Sequence, residues 1–174
     1  MFFDGGGVTF TGGEVCVQSA ELLEVLKKLR DIGIHTAIET NASFDSIKQL
    51  SDYVDYLIAD FKHYDDGKHR EWVGASNGSV KENIEYLLNT RNQLHIRIPV
   101  IGGVNDNPDG FAEYFSKLDT SNAVFEFLSY HEYGKDKWKQ NNMEYKMENA
   151  FVEDEEFENF CDILKLNGFE LIKT

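Results

Sequence analysis

Hydrophobic positions along this chain alternate between two periods. The run Val8-Thr9-Phe10-Thr11 is rich in β-formers and ends at Gly12-Gly13. Residues 19–29 then set Leu22, Leu23, Val25, Leu26 and Leu29 at helical spacing, with Ser19 as the expected N-cap and Gly33 as the stop. Residues 34–38 read as the next strand and 44–50 as a short helix. Residues 54–61 form a strand whose continuous apolar stretch predicts burial on both faces. Helix is expected over 80–88, strand over 94–101, helix over 111–118 and strand over 124–128. An amphipathic helix over 157–166, closed by Gly168, leads to a final strand at 169–172.

Strand alternating with helix predicts right-handed βαβ units and a parallel sheet. Six strands are too few for a complete eight-stranded β/α barrel, and a strand comes almost at once. An α/β fold, a partial (open) β/α barrel missing its first β/α unit, accommodates both facts. A doubly wound open sheet is the alternative. With only two prolines and no linker rich in serine and glycine, residues 1–174 are expected to form a single domain.

Composition narrows the function. At 41% apolar and 13% aromatic over 174 residues, the chain can bury one sizeable core. A formal net charge of −14 argues against nucleic acid as a partner and would repel an anionic membrane surface. No apolar run approaches the roughly 20 residues of a membrane span, and the start lacks the basic and apolar regions of a signal peptide. A cytoplasmic location is the expectation. Cys16 and Cys161 match no metal-ligand spacing and are expected to be structural, buried thiols.

In parallel β/α architectures functional groups gather at the carboxyl ends of strands, where the strand–helix loops open. Five consecutive strands end in polar groups: Gly12-Gly13-Glu14, then Glu39-Thr40-Asn41, then Asp60-Phe61-Lys62. The fourth carries Arg97 within it and Gly102-Gly103-Val104-Asn105-Asp106 after it, and the fifth runs through Ser129-Tyr130-His131. The opposite connections are bland, and all five exits are expected on one rim. Gly12-Gly13 would let a ligand approach the backbone closely, or serve only as a turn. Glu39-Thr40-Asn41 reads equally as an N-cap for the next helix. Asp60 and Lys62, two apart on a strand, share a face and either pair with each other or bind something. Arg97 faces into the sheet or out of it, and His131 sits where a nucleoside contact is reasonable.

These residues carry a resemblance. Gly5-Gly6-Gly7-Val8-Thr9-Phe10-Thr11-Gly12-Gly13-Glu14 resembles the GGGVTFSGGE segment of radical S-adenosylmethionine enzymes that activate glycyl radical enzymes, the pyruvate formate-lyase activating kind. The likeness continues through Gly33-Ile34-His35-Thr36, Asp60-Phe61-Lys62, Val73-Gly74-Ala75-Ser76-Asn77, Ile96-Arg97 and Gly103-Val104-Asn105-Asp106. It ends with the stretch from Tyr130-His131-Glu132-Tyr133 to Gly134-Lys135-Asp136-Lys137-Trp138. The order matches the family's over nearly the whole chain.

The resemblance implies a partial β/α barrel that binds S-adenosylmethionine on a [4Fe–4S] cluster. A 5′-deoxyadenosyl radical made there takes a hydrogen atom from a glycine of a large partner, a glycyl radical enzyme such as a formate acetyltransferase. It implies that Gly12, Gly13 and Glu14 meet the methionine amino group and that Glu39 and Thr40 stand near the methionine end. Asp60, Phe61 and Lys62 form the segment that contacts ribose and methionine carboxylate, and His131 flanks the nucleoside.

The chain also departs from that pattern. The CxxxCxxC cluster loop is absent, and Cys16 and Cys161 cannot replace it. Val15, Glu39, Ala42, Gly102 and Ser129 stand where the family commonly has Pro, Asp, Gly, Pro and Pro. The chain alone is therefore expected to be inactive, a core fragment or a partner-docking remnant without chemistry. Self-association through an exposed first strand, or residues 1–7 folding back over it, is a further expectation. Asp60-Phe61-Lys62-His63-Tyr64-Asp65 also fits the DxKxxD array of decarboxylases of the orotidine monophosphate type, though the phosphate-gripping loop they need is missing.

Overall fold

The structure, a computed structural model, describes residues 6–90, 93–145 and 147–172. Five parallel strands, β1 (Val8–Phe10), β2 (Thr36–Thr40), β3 (Tyr56–Asp60), β4 (Gln93–Val100) and β5 (Ala123–Ser129), form one sheet in sequence order. Each crossover therefore steps the same way, and right-handed connections put the intervening helices on one face. The sheet is the open β/α type expected.

Burial follows from that one-sided cover. On the helix side Ile38, Leu57, Ala59, Leu94, Ile96 and Ile98 are fully buried. They pack with α1 (Ser19–Asp31), α2 (Ser46–Leu50), α4 (Gly78–Leu88), α5 (Pro108–Phe115) and α7 (Asp154–Leu166) into one core. Aromatics make its far end: Phe115 stands edge-on to Phe61 at 5.1 Å and to Phe125 at 5.0 Å, and Phe160 meets Phe127 at 5.2 Å. Tyr56, Ile58 and Asp60 on the opposite side of β3 are only half-buried. The expectation that this strand is buried on both faces fails because no helix among the described residues covers the second face.

Gly33 ends α1 as expected. With φ at +70°, it lets its own N–H reach the Arg30 carbonyl and that of Ile34 reach Leu29. Ser19 is not the N-cap. A 3₁₀ turn, Val15–Gln18, runs directly into the helix, and Glu14 caps that turn by accepting from Cys16 N at 3.0 Å. Residues 169–172 form no full strand; Leu171 makes a single parallel bridge to Phe125. Two helices lack an apolar pattern, α3 (Asp66–Val73) and α6 (Lys135–Gln140). The first is held by its ends, with Asp65 accepting from Lys68 N at 2.7 Å and Gly74 in the left-handed region at φ +84°. That cap uses the last carboxylate of the DxKxxD array for structure.

On the outer side of β1 no strand pairs among the described residues. Phe10 is half-buried against the core rather than open to water. Residues 1–5, where a fold-back would begin, lie outside the described residues. No helix among the described residues is long and apolar enough to cross a membrane.

Gly110 in α5 lies directly against the Tyr64 ring, and a β-carbon there would overlap it. Gly110→Ala should push Tyr64 off its edge-on contact with Phe111, 4.9 Å between centroids. A loss of about 1 kcal/mol in urea denaturation is expected, because a half-buried ring can yield part-way. An unchanged midpoint would mean that displacing Tyr64 costs no more than the roughly 0.5–1 kcal/mol that alanine gains over glycine inside a helix.

Candidate functional site

Since the strands are parallel, all five carboxyl ends share one rim, as expected. Neither a left-handed backbone nor crowding from the chain demands glycine at 12 or 13, and a β-carbon on either would meet nothing within 4 Å. Glu14 reaches from this loop to the end of β2. It accepts from Thr40 Oγ1 at 2.6 Å, from Asn41 N at 2.8 Å and from Cys16 N. Burial raises its pKa, but these bonds to the charged form outweigh burial and leave it below the usual value. Thr40 Oγ1 in turn accepts from Ala42 N at 3.1 Å, where Ala42 sits at φ +55°, a left-handed conformation that favours glycine. Asn41 makes a local turn to Ser43 N and does not cap α2. Cys16 is buried beneath, its thiol 3.5 Å from Thr40 Oγ1 and pushed up to about 11 by burial.

The uncovered face carries a charged row across four strands, β2 to β5. Arg97 on β4 donates through Nε to Glu126 on β5 at 2.7 Å and through Nη1 to Glu39 on β2 at 2.6 Å. His95 lies 3.0 Å from Glu126, with its Nδ1 3.3 Å from the Tyr56 hydroxyl. Burial pulls its pKa down despite the attraction of Glu126. Asp60 pairs in register with Arg97, so Glu39, Asp60, Arg97 and Glu126 all face the same open side.

Asp60 and Lys62 form an ion pair at 3.1 Å, both partly exposed. Phe61, between them, is fully buried in the aromatic core, so a ligand on the open face can meet it only through its backbone. His131 reaches the same rim but is exposed, stacking on Tyr133 at 4.3 Å; the structure does not bring it against the other candidates. Gly102 donates its N–H to Ala150 O, a bond proline could not make, and a β-carbon there would lie 2.8 Å from Phe151 O.

No protein-family model matches the chain. It is 37% identical over 169 residues to the 4-hydroxyphenylacetate decarboxylase activating enzyme of Clostridioides difficile strain CD196, covering 94% of this chain and 54% of that one. It is 31% identical over 166 residues to the pyruvate formate-lyase-activating enzyme of Staphylococcus epidermidis, covering 87% and 64%. A crystal structure of a domain of pyruvate-formate lyase-activating enzyme from Bacteroides vulgatus superposes with a TM-score of 0.77 at 26% identity, over 97% of this chain and 98% of that one. The chain is a homologue of the glycyl-radical-enzyme activating enzymes. It spans about half the length of the first of these relatives. The open sheet is the radical S-adenosylmethionine fold of these activating enzymes.

The residues described here do not fit an iron–sulfur cluster. No group of three His, Cys, Asp or Glu among them could hold a metal ion, and Cys16 and Cys161 are both free thiols. Cys16 is buried as expected; Cys161 on α7 is only half-buried. Two features are not announced by the sequence motifs: the bracing of Arg97 by Glu126, and the bonds of Asn105, which accepts from Ile101 N and donates to Lys62 O and Pro99 O. Strict alternation held the first: His95, Arg97 and Glu126 fall between buried Leu94, Ile96, Ile98, Phe125 and Phe127, a period of two that sends them to the open face.

Proposed function

We propose that this chain is the S-adenosylmethionine-binding core of an activating enzyme whose longer form installs a glycyl radical on a partner enzyme. The observation that carries the reading is the joining of Glu14, at the exit of β1, to Thr40 and Asn41 at the exit of β2, beside Asp60 and Lys62 on the same rim. The donor set suits an amino acid joined to a nucleoside. Gly12 and Gly13 leave backbone open to close approach, Glu14 and Glu39 suit an ammonium, and Lys62 suits a carboxylate. Asp60 suits ribose hydroxyls, and His131 would have to turn inward from its exposed position to flank the base. S-adenosylmethionine held here would be the source of a hydrogen-abstracting radical in the longer form, where an electron donor would have to come from outside the described residues. The chain's own residues bind and orient it.

The partner is taken to be a glycyl radical enzyme, with a formate acetyltransferase as one case, and the setting to be cytoplasmic. Residues 1–174 act as one domain in this reading. The outer edge of β1, unpaired among the described residues, supports self-association when nothing else covers it. A docking role without chemistry fits the same rim if no cluster segment is ever joined to it.

The decisive experiment uses the longer protein, with a CxxxCxxC segment upstream, incubated anaerobically with S-adenosylmethionine, a reductant and the partner. A glycyl radical signal in electron paramagnetic resonance is expected from it and not from the 174-residue chain; no signal from the longer form refutes the proposal. The chain alone should bind S-adenosylmethionine no tighter than about millimolar, ~4 kcal/mol on the affinity scale, in titration calorimetry. Its two cysteines are too few to hold the cluster that would chelate the methionine end. Micromolar binding would show that the rim alone holds the ligand.

A further inference from the structure

A cavity of about 310 Å³ opens on the rim next to Lys62, between α3 and α6. Trp72, Val73, Pro99, Ile101, Val104 and Trp138 give it apolar walls. Its volume lies at the lower end of ligand pockets, room for one ring-bearing side chain rather than a large cofactor.

The polar groups that line it differ in how many of their hydrogen-bonding atoms are already used. Asn105 has none to spare: its Oδ1 accepts from Ile101 N, and its Nδ2 donates to Lys62 O and Pro99 O. His63 is equally committed, with Nδ1 accepting from Asp65 N and Nε2 donating to Val104 O. His69 differs. Its Nδ1 lies 2.7 Å from Ala75 O and must donate there, so in the neutral ring Nε2 carries the lone pair. That nitrogen has no hydrogen-bond partner among the described residues, although the residue as a whole is only 5% exposed. The loop behind it is stiff. Asp66 accepts from Ser76 Oγ at 2.6 Å and Asn77 N at 3.0 Å, and Asn77 Nδ2 donates to His63 O at 2.8 Å. A preformed aromatic cavity therefore presents one unused ring-nitrogen acceptor.

We propose that this cavity receives a tyrosine side chain of the protein partner, its ring against Trp72 and Trp138 and its hydroxyl donating to His69 Nε2. A phenol supplies both a flat apolar surface for the walls and a donor for His69 Nε2. A phenylalanine would leave the acceptor unpaired. The mouth is framed by apolar groups left open to water, Trp72 at 37%, Val73 at 45% and Trp138 at 41% exposure, a rim suited to a peptide carrying the ring. Lys62 belongs both to this cavity and to the ion pair with Asp60, so an occupant is held beside the proposed cofactor site. That the occupant comes from a protein rests on the function proposed above; the binding itself does not.

The test is a titration of the 174-residue chain with N-acetyl-L-tyrosinamide and N-acetyl-L-phenylalaninamide, followed by nuclear magnetic resonance at the two indole N–H groups and the His69 ring nitrogens. Saturable shifts at Trp72, Trp138 and His69 are expected, with the tyrosine compound binding about fivefold tighter, the worth of one net hydrogen bond. His69→Asn keeps a side-chain N–H for Ala75 O and removes the Nε2 acceptor. It should abolish the tyrosine preference while leaving phenylalaninamide binding unchanged. Equal affinities in the native chain, shifts confined to other residues, or a preference that survives His69→Asn would each overturn the proposal. No cluster, radical or S-adenosylmethionine enters the measurement, so it fails or succeeds independently of the function proposed above.

Discussion

Replacing Asn105 with alanine should lower folding stability by about 4 kcal/mol, read as a shift of the urea midpoint at unchanged slope. The side chain is 2% exposed, and all three of its hydrogen bonds go to backbone groups from two different strand exits. Truncation leaves the Ile101 N–H and the carbonyls of Lys62 and Pro99 without partners, and a buried orphan costs ~1–3 kcal/mol. Relaxation and partial water entry keep the sum below the upper limit. Asn105→Asp sharpens the point. It retains the acceptor for Ile101 N but sets a negative charge against two carbonyl oxygens, and at neutral pH it should be at least as damaging as alanine. A loss under about 1 kcal/mol for alanine would mean that water replaces the amide, and that the β3 and β4 exits are joined by something else.

Asn105 also marks where sequence reading stopped. The stretch Gly103-Val104-Asn105-Asp106 was legible as a loop motif, but asparagine in a loop most often serves a turn, and nothing local announces a bond 43 residues away. The strands and long helices were legible because their apolar residues repeat at periods of two and 3.6 and are buried on one side only. Helix α3 was not, because its buried member is His69 and its stability comes from Asp65 and Gly74 at its ends. The one-sided cover of the sheet could have been inferred from β4 and β5. Charges alternate there with leucine, isoleucine and phenylalanine, a pattern that a sheet covered on both faces does not tolerate. The rim motifs were legible as residue types, whereas the inward or outward turn of each side chain was not. Phe61 is sunk in the core and His131 lies open.

Glu14 offers the second large effect, and one with a pH signature. Glu14→Ala removes the acceptor of three hydrogen bonds that tie the exit of β1 to that of β2, and should cost about 2 kcal/mol. The site is only half-buried, so water compensates in part and the loss stays below that of Asn105. Its folded pKa is depressed below the ordinary 4.5, because the hydrogen bonds outweigh desolvation. The charged carboxylate therefore contributes its full stability above the unfolded value, and the contribution fades as pH falls through the lower, folded value. Measured as the difference between native and Glu14→Gln chains from pH 7 to 3, which cancels most of the other carboxylates, the stability gap should be flat above about pH 5 and close below it. A gap that does not change with pH would mean that these bonds favour the carboxyl and the carboxylate alike. Glu14 would then be a neutral strut, with no preference for the anion that an incoming ammonium requires.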